Sequence, residues 1–251
     1  MKWILSLFQR PVLIWGSIQL RPLLRWWYRG SRFKDPIDGR GYRKFLPYGY
    51  DKIRPNALSP GTLSLERHRL LWLYLERETS LLSQTLRVLH VAPEQAFYQR
   101  FKNFSHWEYT TTDLHSPLAD VKADLTALPF AEETFDLIFC NHVLEHIPED
   151  QKALSELYRV LKKGGTAILQ VPLDENRKTT FEDNSITDPK KRTQIFGQYD
   201  HVRIYGQDYY QRLKTAGFQA EAVDLYAKIS PEEINYFSLQ QERIPVGVKS
   251  Y

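Results

Sequence analysis

The feature that most constrains this chain is an alternation of short apolar runs with helical stretches between Leu86 and Pro172. Leu86-Arg87-Val88-Leu89-His90-Val91-Ala92 is leucine-rich and β-branched with no helical period. Pro93 after it suits the first position of a helix over Glu94 to Asn103. Trp107-Glu108-Tyr109-Thr110-Thr111-Thr112 is rich in strand formers and stops at Asp113. Phe135 to Cys140 is a third such run and ends in the polar pair Asn141-His142. A helix over Glu149 to Lys163 would place Leu154, Leu157, Val160 and Leu161 on one face, with Gly164-Gly165 as its stop, before a buried strand over Thr166 to Val171. Strands and helices alternating at these lengths predict a parallel sheet with helices on both faces. Ligands of such sheets bind beyond the carboxyl ends of the strands, where the strand order switches.

Further pieces follow at matching intervals: Ala123-Asp124-Leu125 ahead of Leu128-Pro129-Phe130, Phe135-Asp136-Leu137-Ile138, Leu144-Glu145-His146-Ile147 and Arg159-Val160-Leu161-Lys162-Lys163-Gly164-Gly165. With Asp113, in this order, they resemble a class I S-adenosylmethionine-dependent methyltransferase with a type 11 domain. The resemblance covers roughly residues 86–172 and implies a Rossmann-like seven-stranded sheet, S-adenosylmethionine as cofactor and one-carbon transferase activity. It further implies that Asp113 accepts hydrogen bonds from the ribose hydroxyls. Asp124 would accept from the adenine amine while Leu125 packs on the ring. His90, Val91, Ala92, Pro93, Leu114, Asn141 and His142 complete the expected cofactor-binding set. Asp113 and Asp124 also read as ordinary loop aspartates. His142 lies near the place of the methyl group and is a catalytic candidate, whereas His146 reads as an internal histidine. One departure matters: the customary glycine-rich turn is replaced by His90-Val91-Ala92-Pro93-Glu94-Gln95. Glycines there let backbone approach the cofactor, although a helix N-terminus still offers free N–H groups. A cofactor-free relative on the same fold is therefore an alternative reading.

The charge is segregated. Up to Arg54 there are twelve Lys or Arg against three Asp, a net of +9, while the remainder carries 22 basic against 27 acidic residues, a net of −5. Trp3, Trp15, Trp26, Trp27 and Tyr28 are interleaved with Arg10, Arg21, Arg25 and Arg29. The uncharged piece Pro11 to Leu20 is too short to span a bilayer, and no cleavage site follows it. A basic aromatic appendage over residues 1–62 is expected, suited to an anionic membrane surface, to packing on residues 63–251, or less well to nucleic acid. Residues 30–62 read as loops with little regular structure. Asp35-Pro36-Ile37-Asp38 and Ser59-Pro60-Gly61-Thr62 resemble paired zinc knuckles with Asp35, Asp38, Ser59 and Thr62 in place of cysteine, which predicts no structural metal. They read equally as turn signals. The single cysteine, Cys140, excludes an intrachain disulfide framework and fits a reducing cytoplasm, at or away from the inner membrane surface.

Thr62 to Leu82 reads as a helix that buries Leu63, Leu70, Leu71, Tyr74 and Leu75 and turns Glu66, Arg67 and Arg69 to water. Residues 173–205 are polar, turn-rich and long enough for a substrate lid. Near its end, Tyr199-Asp200-His201-Val202-Arg203-Ile204-Tyr205 gathers titratable groups. His201 is a candidate base, and Tyr199, Asp200, Arg203 and Tyr205 are candidate substrate contacts; the same residues read also as a structural network anchoring the lid. A helix from Gly206 to Gly217, strands over Phe218 to Leu225 and Ile244 to Lys249, and a connecting loop over Ser230 to Glu242 complete the chain. The expected function is methyl transfer to an oxygen, nitrogen or carbon of a small-molecule, lipid or glycan acceptor. A non-catalytic scaffold and a membrane-surface adaptor on the same fold remain the alternatives.

Overall fold

The computed structural model describes residues 10–49 and 53–251; Trp3 of the aromatic segment lies outside them. In chain order the elements are α1 (Arg10–Trp27), β1 (Arg29–Asp35), β2 (Arg40–Tyr42), β3 (Leu46–Tyr48), β4 (Arg54–Leu58), α2 (Glu66–Arg77), β5 (Leu86–Val91), α3 (Gln95–Lys102), β6 (Trp107–Asp113) and β7 (Val121–Lys122). There follow β8 (Phe135–Cys140), α4 (Asp150–Val160), β9 (Leu161–Ile168), β10 (Phe181–Glu182), α5 (Pro189–Phe196), β11 (Arg203–Ile204), α6 (Tyr209–Thr215), β12 (Gln219–Val223), α7 (Pro231–Phe237) and β13 (Ile244–Val248). Two compact units emerge. One draws on the described residues up to Ser83 with Glu94–Phe104 and Asp224–Glu242, the other on Gln84–Pro93, Ser105–Val223 and Arg243–Tyr251.

The second unit holds a seven-stranded sheet in the order β12-β13-β9-β8-β5-β6-β7. Strands β9, β8, β5, β6 and β7 run parallel, and β13 pairs antiparallel with both β9 and β12. Because β5 lies between β8 and β6, the chain leaves β5 in one direction and returns on its other side; this is the switch at which such sheets bind ligands. One face carries Leu89, Val91, Ile138, Cys140, Ala167 and Leu169, packed with Leu154, Leu157 and Val160 of α4 and Tyr209 and Leu213 of α6. Each fully buried leucine of this cluster contributes about 2–3 kcal/mol.

The helix expected to reach Lys163 stops at Val160, because Leu161 is wholly buried and already pairs with Phe135 on β8. The extra residues bulge, with Gly164 at φ +75°. The stretch 230–242, expected as a loop, contains α7: the Ser230 side chain caps Glu233 N at 3.2 Å and Pro231 takes the first helical position. In the same way Asp188 caps Lys191 N at 2.8 Å ahead of Pro189, and Gly197 at φ +85° closes α5 within residues 173–205. Seryl- and aspartyl-proline pairs that read as turns are helix starts.

In the first unit, residues 30–62 form two antiparallel hairpins, β1–β2 and β3–β4, where loops were expected. Phe33, Tyr42 and Phe45 make their small core, with Tyr28 against it. The knuckle-like segments do meet. Asp35 Oδ2 accepts from Thr62 Oγ1 at 2.5 Å and Ser64 Oγ at 3.0 Å, while Asp38 Oδ2 accepts from Tyr42 Oη at 2.6 Å. Hydrogen bonds thus close the loop pair where a knuckle would use a cation. On α2, Glu66 and Arg69 are buried rather than turned to water. The Arg69 guanidinium donates to the carbonyls of Ala57, Ser64, Phe237 and Ser238 at 2.7–3.0 Å and lies 4.6 Å from the Phe45 ring centre. Burial pushes its pKa down to about 10, which leaves it charged at neutral pH. Its charge lies over free carbonyls, which hydrophobic periodicity cannot register.

Candidate active site

At the carboxyl ends of the parallel strands lies a crevice of about 150 Å³ whose lining includes Val91, Ala92, Asp113, Asp124, Leu125 and Ile147. It lies where β5 and β6 end and where the loops after β7 and β8 rise. Its apolar walls come from Val91 and Leu125, both nearly buried. The volume is below the roughly 300–1,000 Å³ of complete ligand pockets, so it matches one moiety of a nucleoside rather than a whole donor.

Two residues flanking the strand ends have left-handed backbone without being glycine: Ala92 at φ +47° and His142 at φ +55°. Each is held by a cross-strand bond, Ala92 N to Thr112 O at 2.8 Å and His142 N to Gln170 O at 2.7 Å. An L-residue there costs about 1–2 kcal/mol, and such strain persists where the surroundings enforce it, typically at binding sites. The turn after β5 therefore has the glycine conformation without the glycine.

Asp113, at the tip of β6, accepts from His115 N at 2.7 Å and Ser116 N at 2.6 Å, both on Oδ1. Exposed Asp124 accepts from Thr126 N and Oγ1 at 2.8 and 2.9 Å; the backbone bond first and the hydroxyl second hold its carboxyl below the usual range. Leu114 is 53% exposed at the rim. His90 points elsewhere: it is wholly buried, with Nδ1 2.7 Å from Tyr109 Oη and its ring 5.7 Å from that of Phe139. Pro93 and Asn141 are buried beside the strand ends without lining the crevice.

Beside the crevice a second group forms around Glu145, whose side chain is 2% exposed. His142 Nδ1 lies 3.5 Å from Glu145 Oε1, and neither His142 Nε2 nor Glu145 Oε2 has a hydrogen-bond partner. The rings of His146 and His201 meet edge to face at 4.7 Å. His146 Nδ1 is 3.4 Å from Asp200 Oδ2, and His201 Nδ1 is 3.2 Å from Phe196 O. A carbonyl only accepts, so Nδ1 of His201 carries the hydrogen and Nε2 is left as the acceptor. Burial lowers the His201 pKa, opposed by Glu145, and keeps the ring neutral at pH 7. Glu145 was legible in the sequence only as part of Leu144-Glu145-His146-Ile147. It reaches His201 because Val202 N bonds Glu145 O at 2.9 Å.

One donor atom each of Glu145, His146 and His201 lies within 4.8 Å of the others, the one such trio among the described residues. Tetrahedral zinc needs edges of roughly 3.3 Å, so a cation would require these side chains to draw closer.

Arg203 and Tyr205 are saturated instead. Arg203 donates to Glu182 Oε2, Leu144 O, Ile147 O and Pro148 O at 2.5–2.9 Å and is 2% exposed. Tyr205 Oη donates to Asp150 Oδ2 at 2.8 Å, and burial raises its pKa well above the phenol range. Together they hold the turn that carries Leu144 to Pro148. Tyr199 is 62% exposed, and Asp200 is half-exposed beside His146.

A family model described as a methyltransferase domain matches residues 77–169. Among curated proteins, the ubiquinone/menaquinone biosynthesis C-methyltransferase UbiE of Ruegeria sp. (strain TM1040) is 29% identical over 126 residues, covering 41% of this chain and 50% of the relative. The UbiE of Klebsiella pneumoniae (strain 342) is 45% identical over 49 residues, 20% of each chain. The chain thus spans half or less of the length of these relatives. Among solved structures, the 1,6-didemethyltoxoflavin-N1-methyltransferase of Burkholderia thailandensis, with bound S-adenosylhomocysteine, superposes with a TM-score of 0.50 at 14% identity, over 74% of this chain and 78% of that one. The [4+2]-cyclase SpnF does so with 0.50 at 16% identity, over 86% and 91%. Residues 77–169 thus match a methyltransferase domain model, and the seven-stranded sheet has the α/β fold of these solved structures.

Proposed function

We propose that this chain transfers the methyl group of S-adenosylmethionine to a small-molecule acceptor whose nucleophilic atom must lose a proton. The observation that carries the reading is the pair of enforced left-handed residues, Ala92 and His142, at the ends of adjacent strands beside a crevice rimmed by Asp113 and Asp124. Asp113 uses only Oδ1 in its own loop, which leaves Oδ2 to accept from the ribose hydroxyls. Asp124 accepts from the adenine amine, and Leu125 and Ile147 cover the ring faces. When bound, the donor supplies an electrophilic methyl on a sulfonium. Alignment of the acceptor then does most of the catalysis.

His201 Nε2 takes the acceptor's proton, and the buried Glu145 carboxylate stabilises the resulting imidazolium. His142, with Nδ1 3.5 Å from Glu145 Oε1, is the second imidazole beside that carboxylate. Exposed Tyr199 and half-exposed Asp200 supply the acceptor's rim contacts, while Arg203 and Tyr205 fix the turn beneath. The buried free thiol of Cys140 suits a reducing, cytoplasmic setting.

Calorimetric titration with S-adenosylhomocysteine tests the reading. Binding by the full chain, weakened at least tenfold in Asp113→Ala, is expected. Absence of heat with the folded protein would leave a non-catalytic scaffold.

A further inference from the structure

Outside the sheet unit, the first unit concentrates arginine where carboxylate is scarce. In the last two turns of α1, Arg21 is 8% exposed; its Nη2 donates to Gln95 Oε1 at 3.3 Å, and its Nε has no hydrogen-bond partner. One turn on, Arg25 has its nearest carboxylate, Asp38 Oδ2, at 3.7 Å. That carboxylate is already committed to Tyr42 Oη at 2.6 Å, and its Oδ1 accepts from Arg40 N at 2.9 Å. Burial first, and the neighbouring Arg25 charge second, lower the Arg21 pKa. A cavity of about 250 Å³ opens between them, with Arg40 and Arg100 also on its wall and Asp38 as its sole acidic lining residue. A second cavity of about 620 Å³ shares Arg25 and Arg40 and adds Trp26 and Arg29.

The opposite side of the same helix is apolar and uncovered. Leu20, Leu23 and Trp27 recur at i, i+3 and i+7, with Trp26 alongside, and they are 55%, 59%, 58% and 70% exposed respectively. At 100° per residue these four side chains share one arc and Arg21 and Arg25 the other. We propose that the end of α1 lies on an anionic membrane surface, with Leu20, Leu23, Trp26 and Trp27 sunk into the headgroup boundary and the Arg21, Arg25, Arg40 and Arg100 cluster above them facing the lipid phosphates. A basic face opposed to an exposed tryptophan and leucine face is the composition that binds such surfaces, and a phosphate supplies the acceptors that Arg21 Nε and Arg25 Nε lack. No helix among the described residues is long and apolar enough to cross a membrane, so the contact is peripheral.

Flotation of the full chain with phosphatidylcholine vesicles, with and without phosphatidylglycerol, tests this. The protein should float with the anionic vesicles alone, and R21Q with R25Q should lower partitioning about fivefold per arginine. Trp26→Ser with Trp27→Ser should abolish flotation. Gln99 lies exposed on the wall of the smaller cavity, so Q99E places a carboxylate there without touching the core and should weaken flotation similarly. Equal flotation of Q99E and wild type, or equal binding to neutral vesicles, would overturn the phosphate pocket. Calorimetric binding of inorganic phosphate by a chain that does not float would overturn the lipid assignment.

Discussion

Asp35 and Glu145 are carboxylates withdrawn from water to the same degree, 0% and 2% exposed, yet their surroundings are opposite. Asp35 is saturated: Thr62 and Ser64 hydroxyls reach Oδ2, and Ile37 N reaches Oδ1 at 2.9 Å. Glu145 has no donor on Oε2 and only a distant imidazole on Oε1. A buried acceptor left without a donor costs about 1–3 kcal/mol, more when charged. A fold keeps such a group where something arrives to use it, here a proton on a neighbouring ring. The difference separates a carboxylate that closes a loop pair from one to which the proposed mechanism assigns a proton on a neighbouring ring.

The comparison can be broken from either side. The largest effect is expected for Asp35→Ala, which strands two hydroxyls and an amide; urea unfolding should show a loss of about 4 kcal/mol, from charge-assisted bonds of roughly 1.5–3 kcal/mol each. A loss near zero would end the structural reading of Asp35. Glu145→Gln should instead move the unfolding free energy by no more than about 1 kcal/mol while slowing turnover on a screened acceptor about 100-fold.

The same substitution has a signature in pH. Burial already places the His201 pKa below 6.5, and Glu145 is the leading influence raising it. Removing that charge should lower it further in an NMR titration of the ring. Because the folded pKa is depressed, the unfolded chain protonates first as pH falls below about 6.5, so stability from this residue is complete above that value and is lost on acidification. In the proposed mechanism His201 would remain available as a base below pH 6.5, and an acid limb of the rate that began above it would contradict the assignment.

Smaller still is the effect of Asp113→Ala on donor affinity, about tenfold or somewhat more, for the loss of one charge-assisted bond. The smallest belongs to Ala92→Gly. Relief of about 1–2 kcal/mol of left-handed strain is offset by about 0.5–1 kcal/mol of added unfolded-state freedom. A net gain of about 0 to 1.5 kcal/mol in the unfolding free energy, with tighter donor binding, is expected. A clear loss of stability would show that Ala92 is not strained.

The sheet was legible because its strands are short apolar runs divided by amphipathic helices, and the order of Asp113, Asp124 and Leu144 to Ile147 placed the crevice. What the sequence concealed was side-chain conversation across distance. Arg69 looks like a solvent-facing charge until carbonyls from remote segments converge on it, and nothing local in the sequence decides whether Arg203 meets substrate or the carbonyls of Leu144 and Pro148. His90 sits at the correct strand end, but the two-residue period of β5 turns it to the face opposite Val91. Glu145 gains its meaning only from His201, more than fifty positions later, through a backbone bond that no local pattern encodes. Ser230-Pro231 and Asp188-Pro189 were ambiguous for another reason, since cap and turn use the same residues.

The most direct measurement is a crystal structure of the full chain with S-adenosylhomocysteine. The account predicts the ribose hydroxyls on Asp113 Oδ2, the adenine against Leu125 with its amine toward Asp124, and the sulfur directed to the His142–Glu145–His201 group. A nucleoside bound elsewhere, or side chains of Leu125 and Ile147 closing the crevice at saturating ligand, would contradict it.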